Sequence, residues 1–126
     1  MSRMLLAYGF LRRVFEVFER YRTSIDMITT SEVAVSLTID DTTHLNEILA
    51  ELKAFGEVEV DTGHTIVCVV GDFGADKHGF GSRVLEAIKH LPLRMISYGG
   101  SDHNLSVLIK TGHKVEALRS LHSRLF

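Results

Sequence analysis

The sequence predicts an α+β fold in which one small β-α-β-β-α-β unit occurs twice. The main evidence for this prediction is an internal repeat. The segment 9–16 (GFLRRVFE) returns as segment 79–86 (GFGSRVLE), 70 residues later. Apolar positions keep this spacing further along the chain, so that Ile48 matches Leu118. A period this long suits two small tandem domains rather than a solenoid.

In the first unit, apolar residues three or four apart predict a helix over residues 9–21. Residues 24–30 are interpreted as a strand, and strict apolar alternation over residues 32–39 predicts a second one. Residues 40–43 (DDTT) offer caps for a second helix, and residues 57–61 (EVEVD) predict a short last strand. The second helix is expected to bury five apolar residues: Leu45, Ile48, Leu49, Leu52 and Phe55.

The second unit follows the same course, with a strand at 65–70 and a loop at 71–79. A helix follows, and Pro92 is expected to end it. A strand pair at 94–98 and 105–109 precedes the last helix. The first of these helices is expected to bury Phe80, Val84, Leu85, Ile88 and Leu91. The last helix is expected to bury Val115, Leu118, Leu121 and Leu125.

This order of elements is the ferredoxin-like arrangement, an antiparallel sheet with two helices on one face. The two units are expected at residues 1–62 and 63–126. At the 70-residue spacing, the counterpart of strand 65–70 would fall before the first residue, and that of strand 57–61 after the last. Each predicted sheet is therefore short of one strand, and the missing strands are expected upstream in a longer protein.

Composition narrows the classes of function. The 126 residues are 45% hydrophobic and 24% charged, with a formal net charge of −2. This charge gives no general attraction to nucleic acid or to an anionic membrane. The single cysteine, Cys68, fits a reducing compartment and is expected to be a small buried apolar residue of strand 65–70. The absence of a long apolar run predicts a cytoplasmic protein.

No metal ion or cofactor is expected. The seven histidines are scattered over predicted loops and helix ends, without a closely spaced pair of ligands. The glycines between residues 71 and 81 do not follow a P-loop or dinucleotide pattern.

Gly9 stands where a loop meets the first predicted helix. Free backbone N–H groups at a helix start favour an anion, and a glycine lets backbone approach a ligand. The same glycine could merely permit a tight turn, because Gly79 matches it in the second unit. Both interpretations stay open on the residues alone.

Asp26 is the sharper signal, because it stands in a strand between Ile25 and Met27 and its counterpart in the second unit is Ile96. A carboxylate near a sheet interior is unfavourable unless it is paired, and a ligand ammonium group would pair it. The alternative is that strand alternation turns Asp26 toward solvent.

Four segments resemble the paired ACT domains of aspartate kinases. Residues 4–11 (MLLAYGFL) and 24–33 (SIDMITTSEV) resemble the first ACT domain. Residues 94–105 (RMISYGGSDHNL) and the ending 121–126 (LHSRLF) resemble the second, and the ending is that of the monofunctional, lysine-sensitive class.

The resemblance implies a regulatory region that senses L-lysine at a dimer interface for feedback inhibition and transfers no phosphate itself. It implies a kinase domain upstream, with the first ACT domain inserted within the second. It also implies a homodimer or higher homo-oligomer. Eleven residues fall on effector positions of the family: Met4, Ala7, Gly9, Phe10, Leu11, Ser24, Ile25, Asp26, Thr30, Ser31 and Glu32. Ala7 departs from the pattern, since a small polar residue is commoner there, and the second unit is expected to be mainly structural.

Other functions remain as alternatives. The chain could be a pure oligomerisation module without an effector, or could sense threonine or another amino acid. An RNA-binding module is disfavoured because strand 32–39 offers no aromatic side chains for stacking and the net charge is negative. A small enzyme is disfavoured because no nucleophile–base constellation is evident.

Overall fold

The structure is a computed structural model, and it describes four stretches of the chain: residues 9–31, 34–70, 77–99 and 104–125. The chain divides into two compact units, the first ending at Val60 and the second beginning at Asp61. Asp61 belongs with the second unit, where its Oδ2 accepts hydrogen bonds from Nε and Nη2 of Arg94 at 3.2 and 3.1 Å.

The first unit contains helix α1 (Phe10–Arg20), strands β1 (Ile25–Thr30) and β2 (Val35–Ile39), and helix α2 (Leu45–Lys53). The two strands pair in antiparallel fashion. Apolar residues of α1 recur at helical spacing and meet those of α2 in one buried cluster: Phe10, Val14, Val17, Phe18, Ile48 and Leu52. Alternate residues of β2 pack against this cluster, so the predicted helices and strands of this part are confirmed.

Residues 57–61 form no strand, contrary to the sequence prediction. A strand exists through its hydrogen bonds to a neighbour, and in the described part of the first unit β1 and β2 pair only with each other. The apolar alternation persists without a ladder, since Val58 packs against the buried cluster and Val60 is exposed.

The second unit contains strand β3 (His64–Val70), helix α3 (Lys77–Ala87), strands β4 (Met95–Tyr98) and β5 (Asn104–Lys110), and helix α4 (Lys114–Leu125). Its sheet has the order β3-β5-β4, with both pairs antiparallel. Twelve buried residues from both helices and from β3 and β5 form its core: Val67, Val69, Phe80, Val84, Ala87, Ile88, Leu91, Leu105, Val107, Ile109, Ala117 and Leu121.

These elements confirm the α+β, ferredoxin-like class, with small antiparallel sheets and helices packed against them. The limits of α3 differ from the prediction. The helix begins at Lys77, inside the expected loop, and ends at Ala87, so Pro92 does not end it. A turn follows in which the Leu91 N–H bonds the carbonyl of Ile88 at 2.9 Å.

The gapless 70-residue spacing fails over the last helix. Ile48 is 1% exposed, whereas its expected counterpart Leu118 is 47% exposed. The residues that α4 buries are Ala117 and Leu121, which follow Ile48 and Leu52 by 69 residues. One residue is a rotation of about 100° on a helix, so Leu118 and Val115 lie at the surface instead of in the core.

The connection that precedes each helix explains this rotation. Five residues separate β2 from α2, whereas a three-residue 3₁₀ turn, Thr111–His113, joins β5 to α4. The two helices therefore differ by one residue in the positions that they bury. Similarly, Cys68 is exposed and not buried, because its neighbours Val67 and Val69 take the core side of β3.

Asp41 stabilises the entry into α2. Its Oδ1 accepts hydrogen bonds from Oγ1 and the backbone N–H of Thr43, at 2.6 and 2.9 Å. These bonds favour the ionised carboxylate and hold the pKa of Asp41 below its ordinary value of 3.8.

We expect Asp41→Ala to lower the melting temperature near neutral pH, because two hydrogen bonds are lost. A depressed folded-state pKa contributes stability that is complete above the unfolded value and is lost as pH falls through the folded one. The difference from the unaltered chain should therefore shrink below about pH 3.8. Thermal unfolding at neutral and acid pH measures this, with exposed Asp40→Ala as the control. A difference that is constant across this range would contradict the assignment.

Candidate functional site

Eight of the eleven predicted site residues lie in the described part of the chain, while Met4, Ala7 and Glu32 lie outside it. The eight form two groups on the first unit. One group stands at the start of α1: Gly9, Phe10 and Leu11. The other group lies on β1 or directly beside it: Ser24, Ile25, Asp26, Thr30 and Ser31.

The start of α1 depends on Gly9. Gly9 has φ 79° and ψ 8°, a left-handed conformation that residues other than glycine rarely adopt. Its carbonyl accepts the Arg13 N–H at 3.0 Å, which closes the first turn. Gly9 has no side chain to cap this end, and no other residue in the described part of the chain is seen to do so, which leaves the first N–H groups of α1 available to a ligand or to solvent there. The conformation supports the tight-turn interpretation of Gly9, and the uncapped end is compatible with an anion.

Gly79 does not repeat this geometry, because it lies inside α3 without a positive φ.

Phe10 acts as a packing residue. It is buried, and its ring meets Phe55 edge-on with the centroids 5.8 Å apart. The guanidinium of Arg13 lies 4.1 Å from the centroid of the same Phe55 ring. Ile25 also packs against the core cluster of the first unit. Phe10 and Ile25 therefore position α1 and β1 and have little surface to offer a ligand.

Asp26 stands at an irregularity of the sheet. Ile25 pairs with Ile39 and Met27 pairs with Thr38, with a register shift between them that leaves Asp26 unpaired on β1. The Met27 N–H bonds Oγ1 of Thr38 at 3.0 Å. Exposure still alternates along β1, where Asp26, Ile28 and Thr30 are exposed and Met27 is buried, so Asp26 lies on the outward face of the strand.

The Asp26 side chain is exposed, and no hydrogen bond or ion pair holds its carboxylate among the described residues. The solvent-facing interpretation of Asp26 is thus the one that the structure supports. An exposed carboxylate without a partner is available to a cationic group.

The loop that leads into β1 is fixed by Thr23, a residue that sequence reasoning missed. Thr23 is buried; its N–H bonds the carbonyl of Phe18 at 2.9 Å and its Oγ1 bonds that of Tyr21 at 3.1 Å. The preceding residue, Arg22, has φ 49°. Because a buried threonine anchors the loop, the exposed Ser24 has a defined position beside β1.

Thr30 and Ser31 stand at the far end of β1, where the chain turns. The Ser31 N–H bonds the carbonyl of Ala34 at 2.9 Å, and Thr30 pairs with Val35. Asp26 and Thr30 are four residues apart, roughly 13 Å at the usual rise of a strand. The first unit by itself therefore does not gather the two ends of β1 around one small ligand.

The counterparts of these residues in the second unit carry different chemistry. Arg94 replaces Ser24, and Asp61 pairs it at 3.1 Å. Ile96 replaces Asp26 and is 42% exposed, so it does not belong to the core. β4 is an edge strand, and its second residue is only partly covered.

We expect Ile96→Ala to lower the free energy of unfolding by less than about 1 kcal/mol, since little apolar surface returns to water. Urea denaturation followed by circular dichroism measures the change, with buried Ile109→Ala as the positive control. A loss as large as that of the control would place Ile96 in the core after all.

A groove of about 800 Å³ lies in the second unit between β3 and α4. Its lining is mainly apolar and includes Cys68, Val70, Leu118 and His122. None of the predicted site residues lies there. Sequence reasoning missed this groove because it placed Leu118 in the core.

Within the four described stretches, histidine, cysteine, aspartate and glutamate residues form no group of three that could hold a metal ion. In the same stretches, each helix is too short or too polar to cross a bilayer.

Known proteins resemble both the sequence and the structure. A family model described as an ACT domain matches residues 67–125. Lysine-sensitive aspartokinase 3 of Escherichia coli (strain K12) is 38% identical over 131 residues, which covers 98% of this chain and 29% of the relative. A solved chain described as a C-terminal regulatory domain of aspartate kinase from Porphyromonas gingivalis W83 is 46% identical with a TM-score of 0.88, covering 99% of this chain and 86% of that one.

Escherichia coli aspartokinase III, solved in complex with lysine and aspartate, is 39% identical with a TM-score of 0.84 and is covered to 29% of its length. The chain spans between 24% and 29% of the length of the curated aspartokinases it matches. Similarity over both units to a solved regulatory domain, together with the fold, shows that the chain belongs to the ACT-domain regulatory regions of aspartate kinases.

Proposed function

We propose that this chain senses L-lysine through its first unit and passes the signal to an aspartate kinase domain of the same polypeptide, as feedback inhibition. The observation that carries the proposal is the Asp26 carboxylate, which is exposed at a bulge and unpaired among the described residues. The lysine-sensitive relative from Escherichia coli and its lysine complex support the choice of effector.

The chemistry of a free amino acid suits the two groups of residues. The carboxylate of the ligand would meet the uncapped start of α1, where N–H groups and the helix dipole favour an anion. An ammonium group would meet Asp26 in a charge-assisted hydrogen bond. Ser24, Thr30 and Ser31 would add polar contacts from β1 and its ends.

A second copy of the chain would bring the ends of β1 to one ligand. Among the described residues, β1 has β2 as its only neighbour, so its other edge is open. Open edges pair readily with another strand. Antiparallel pairing of β1 with the β1 of a partner would set Asp26 of one copy near the α1 start of the other.

We therefore expect a homodimer or larger assembly at micromolar concentration. Sedimentation equilibrium measures the mass directly, and a species of only 14.1 kDa would contradict the pairing. A variant with Ile28→Pro on β1 should shift the equilibrium toward monomer, because the Ile28 N–H faces the open edge and proline removes that donor. The exposed Ser36→Pro on β2 is the matched control for the loss of strand structure itself.

Binding at a subunit junction gives a simple route to regulation. An effector shifts an equilibrium only by its difference in affinity between two states. Lysine held between two copies would favour the dimer geometry that completes the site. In a full-length enzyme, that preference would reach the kinase domain.

Titration calorimetry with L-lysine, L-threonine and L-methionine tests the proposal. We expect heat with lysine and weaker or no binding of the other two amino acids. Preference for threonine would overturn lysine as the effector and leave an amino-acid sensor.

The open edge of β1 also favours a second candidate, a pure oligomerisation module. That module would form the same dimer but would give no heat with any of the three amino acids and no ligand-dependent thermal shift.

A further inference from the structure

The middle of α3 is covered at Gly81 by an aromatic ring from the end of β4. A Cβ atom built on Gly81 would lie 2.9 Å from Cε2 and 3.4 Å from Cδ2 of Tyr98. The same ring lies 6.1 Å, centroid to centroid, from Phe80. The Tyr98 ring therefore lies against the helix at Gly81, where a side chain would have to push the ring aside.

The first unit has a different pair of residues at these two positions. At the repeat spacing Gly81 corresponds to Leu11, a predicted site residue, and Tyr98 corresponds to Ile28. Where the first unit has two aliphatic side chains of equal size, the second unit has no side chain on the helix and an aromatic ring on the strand. Glycine is unfavourable inside a helix, so the contact with Tyr98 gives a reason for its presence.

We propose that Tyr98 is a built-in plug that closes the second unit's copy of the amino-acid site, so that the chain binds one effector. This inference rests on the function proposed above for the first unit. Tyr98 remains 49% exposed, which places it over the surface of α3 and β4 instead of in the core.

The residues that correspond to Asp26 and Ser24 in the second unit also fit a second-unit site that is closed to an amino acid. Ile96 offers no acceptor to an ammonium group, and Arg94 is already engaged by Asp61. The ring of Tyr98 then occupies the surface beside Phe80 and Gly81, the counterparts of two predicted effector residues.

A double-mutant cycle tests the contact. Alone, Gly81→Ala should raise the melting temperature less than Gly79→Ala does, because its Cβ has to push the ring aside. In a Tyr98→Ala background the same change should raise it as much as Gly79→Ala does, because alanine favours a helix over glycine. Gly79→Ala is the matched control: its Cβ would meet nothing within 4 Å, and it should raise the melting temperature in both backgrounds. If Gly81→Ala behaves like Gly79→Ala throughout, Tyr98 does not rest on the helix and the proposal is overturned.

Calorimetry with L-lysine tests the closure. The unaltered chain should bind one lysine per chain, and so should Ile96→Asp with Tyr98 retained. Ile96→Asp combined with Tyr98→Ile restores the unit-one residues and should bind a second, weaker lysine. A stoichiometry that stays at one in the combined variant, with its fold intact by circular dichroism, overturns the plug alone. No binding to the unaltered chain overturns the proposed lysine site, and no binding to the combined variant as well overturns both.

Discussion

Replacing Leu121 by alanine is expected to lower the free energy of unfolding by about 2–5 kcal/mol, whereas Leu118→Ala should cost less than about 1 kcal/mol. Both leucines lie on α4, three residues apart, so helix propensity and residue type are matched. Leu121 is 4% exposed and packs in the core, whereas Leu118 is 47% exposed. A buried leucine loses its transfer free energy and leaves a cavity, and an exposed one does neither.

Urea denaturation of the two variants decides whether α4 leaves Leu118 at the surface, as in the structure, or buries it, as the gapless repeat predicts. The gapless repeat equates Leu118 with Ile48, which is buried, and Ile48→Ala should fall in the costly class. Because the chain has two units, unfolding should be followed by a probe that resolves separate transitions. Equal losses for Leu118→Ala and Leu121→Ala would show that α4 is turned differently.

Replacing Asp26 by alanine is expected to weaken lysine binding roughly ten- to a hundredfold. A hydrogen bond to a charged group contributes on the order of 1.5–3 kcal/mol, which corresponds to this change in affinity. Stability without ligand should stay level, because the carboxylate is exposed and no partner holds it among the described residues. The lysine affinity of Asp26→Asn should lie between that of the unaltered chain and that of Asp26→Ala, since the amide retains an acceptor and loses the charge.

Calorimetry with L-lysine measures the effect, and Asp40→Ala is the control, an exposed carboxylate just after β2 on the same unit. Unchanged affinity in Asp26→Ala, with a normal response from the control, would show that this carboxylate does not contact the effector. The dimer should persist in both variants, so that loss of binding can be told from loss of assembly.

The sequence could predict the elements whose signal is local. The apolar residues of α1 recur at helical spacing and those of β2 alternate. Each pattern lies within its own segment, and both predicted elements were confirmed. The strand expected at residues 57–61 has the right alternation, but a strand also needs a neighbour, and a single segment does not show one. The burial of α4 depends on how the turn before it is wound, which apolar spacing alone does not reveal.

The site was less accessible to prediction. Sequence could mark Asp26 as an unusual residue in a strand and offer an outward position by alternation, but it could not show the bulge beside Asp26, because the bulge results from the pairing with Ile39 and Thr38. Thr23 carries no motif, and its role follows from two hydrogen bonds to the end of α1. Met4, Ala7 and Glu32 stay predictions from the family resemblance.

The one-residue rotation of α4 affects the design of chimeras in which helices are exchanged between the two units. If α2 and α4 were exchanged at the 70-residue spacing, Leu118 would take the buried position of Ile48. Glu47 and Glu51 would take the buried positions of Ala117 and Leu121, in an apolar core. The splice points would have to be moved by one residue, with the 3₁₀ turn Thr111–His113 carried along with its helix. The halves of this duplicated chain are thus no longer interchangeable parts, although their sequences still align without a gap.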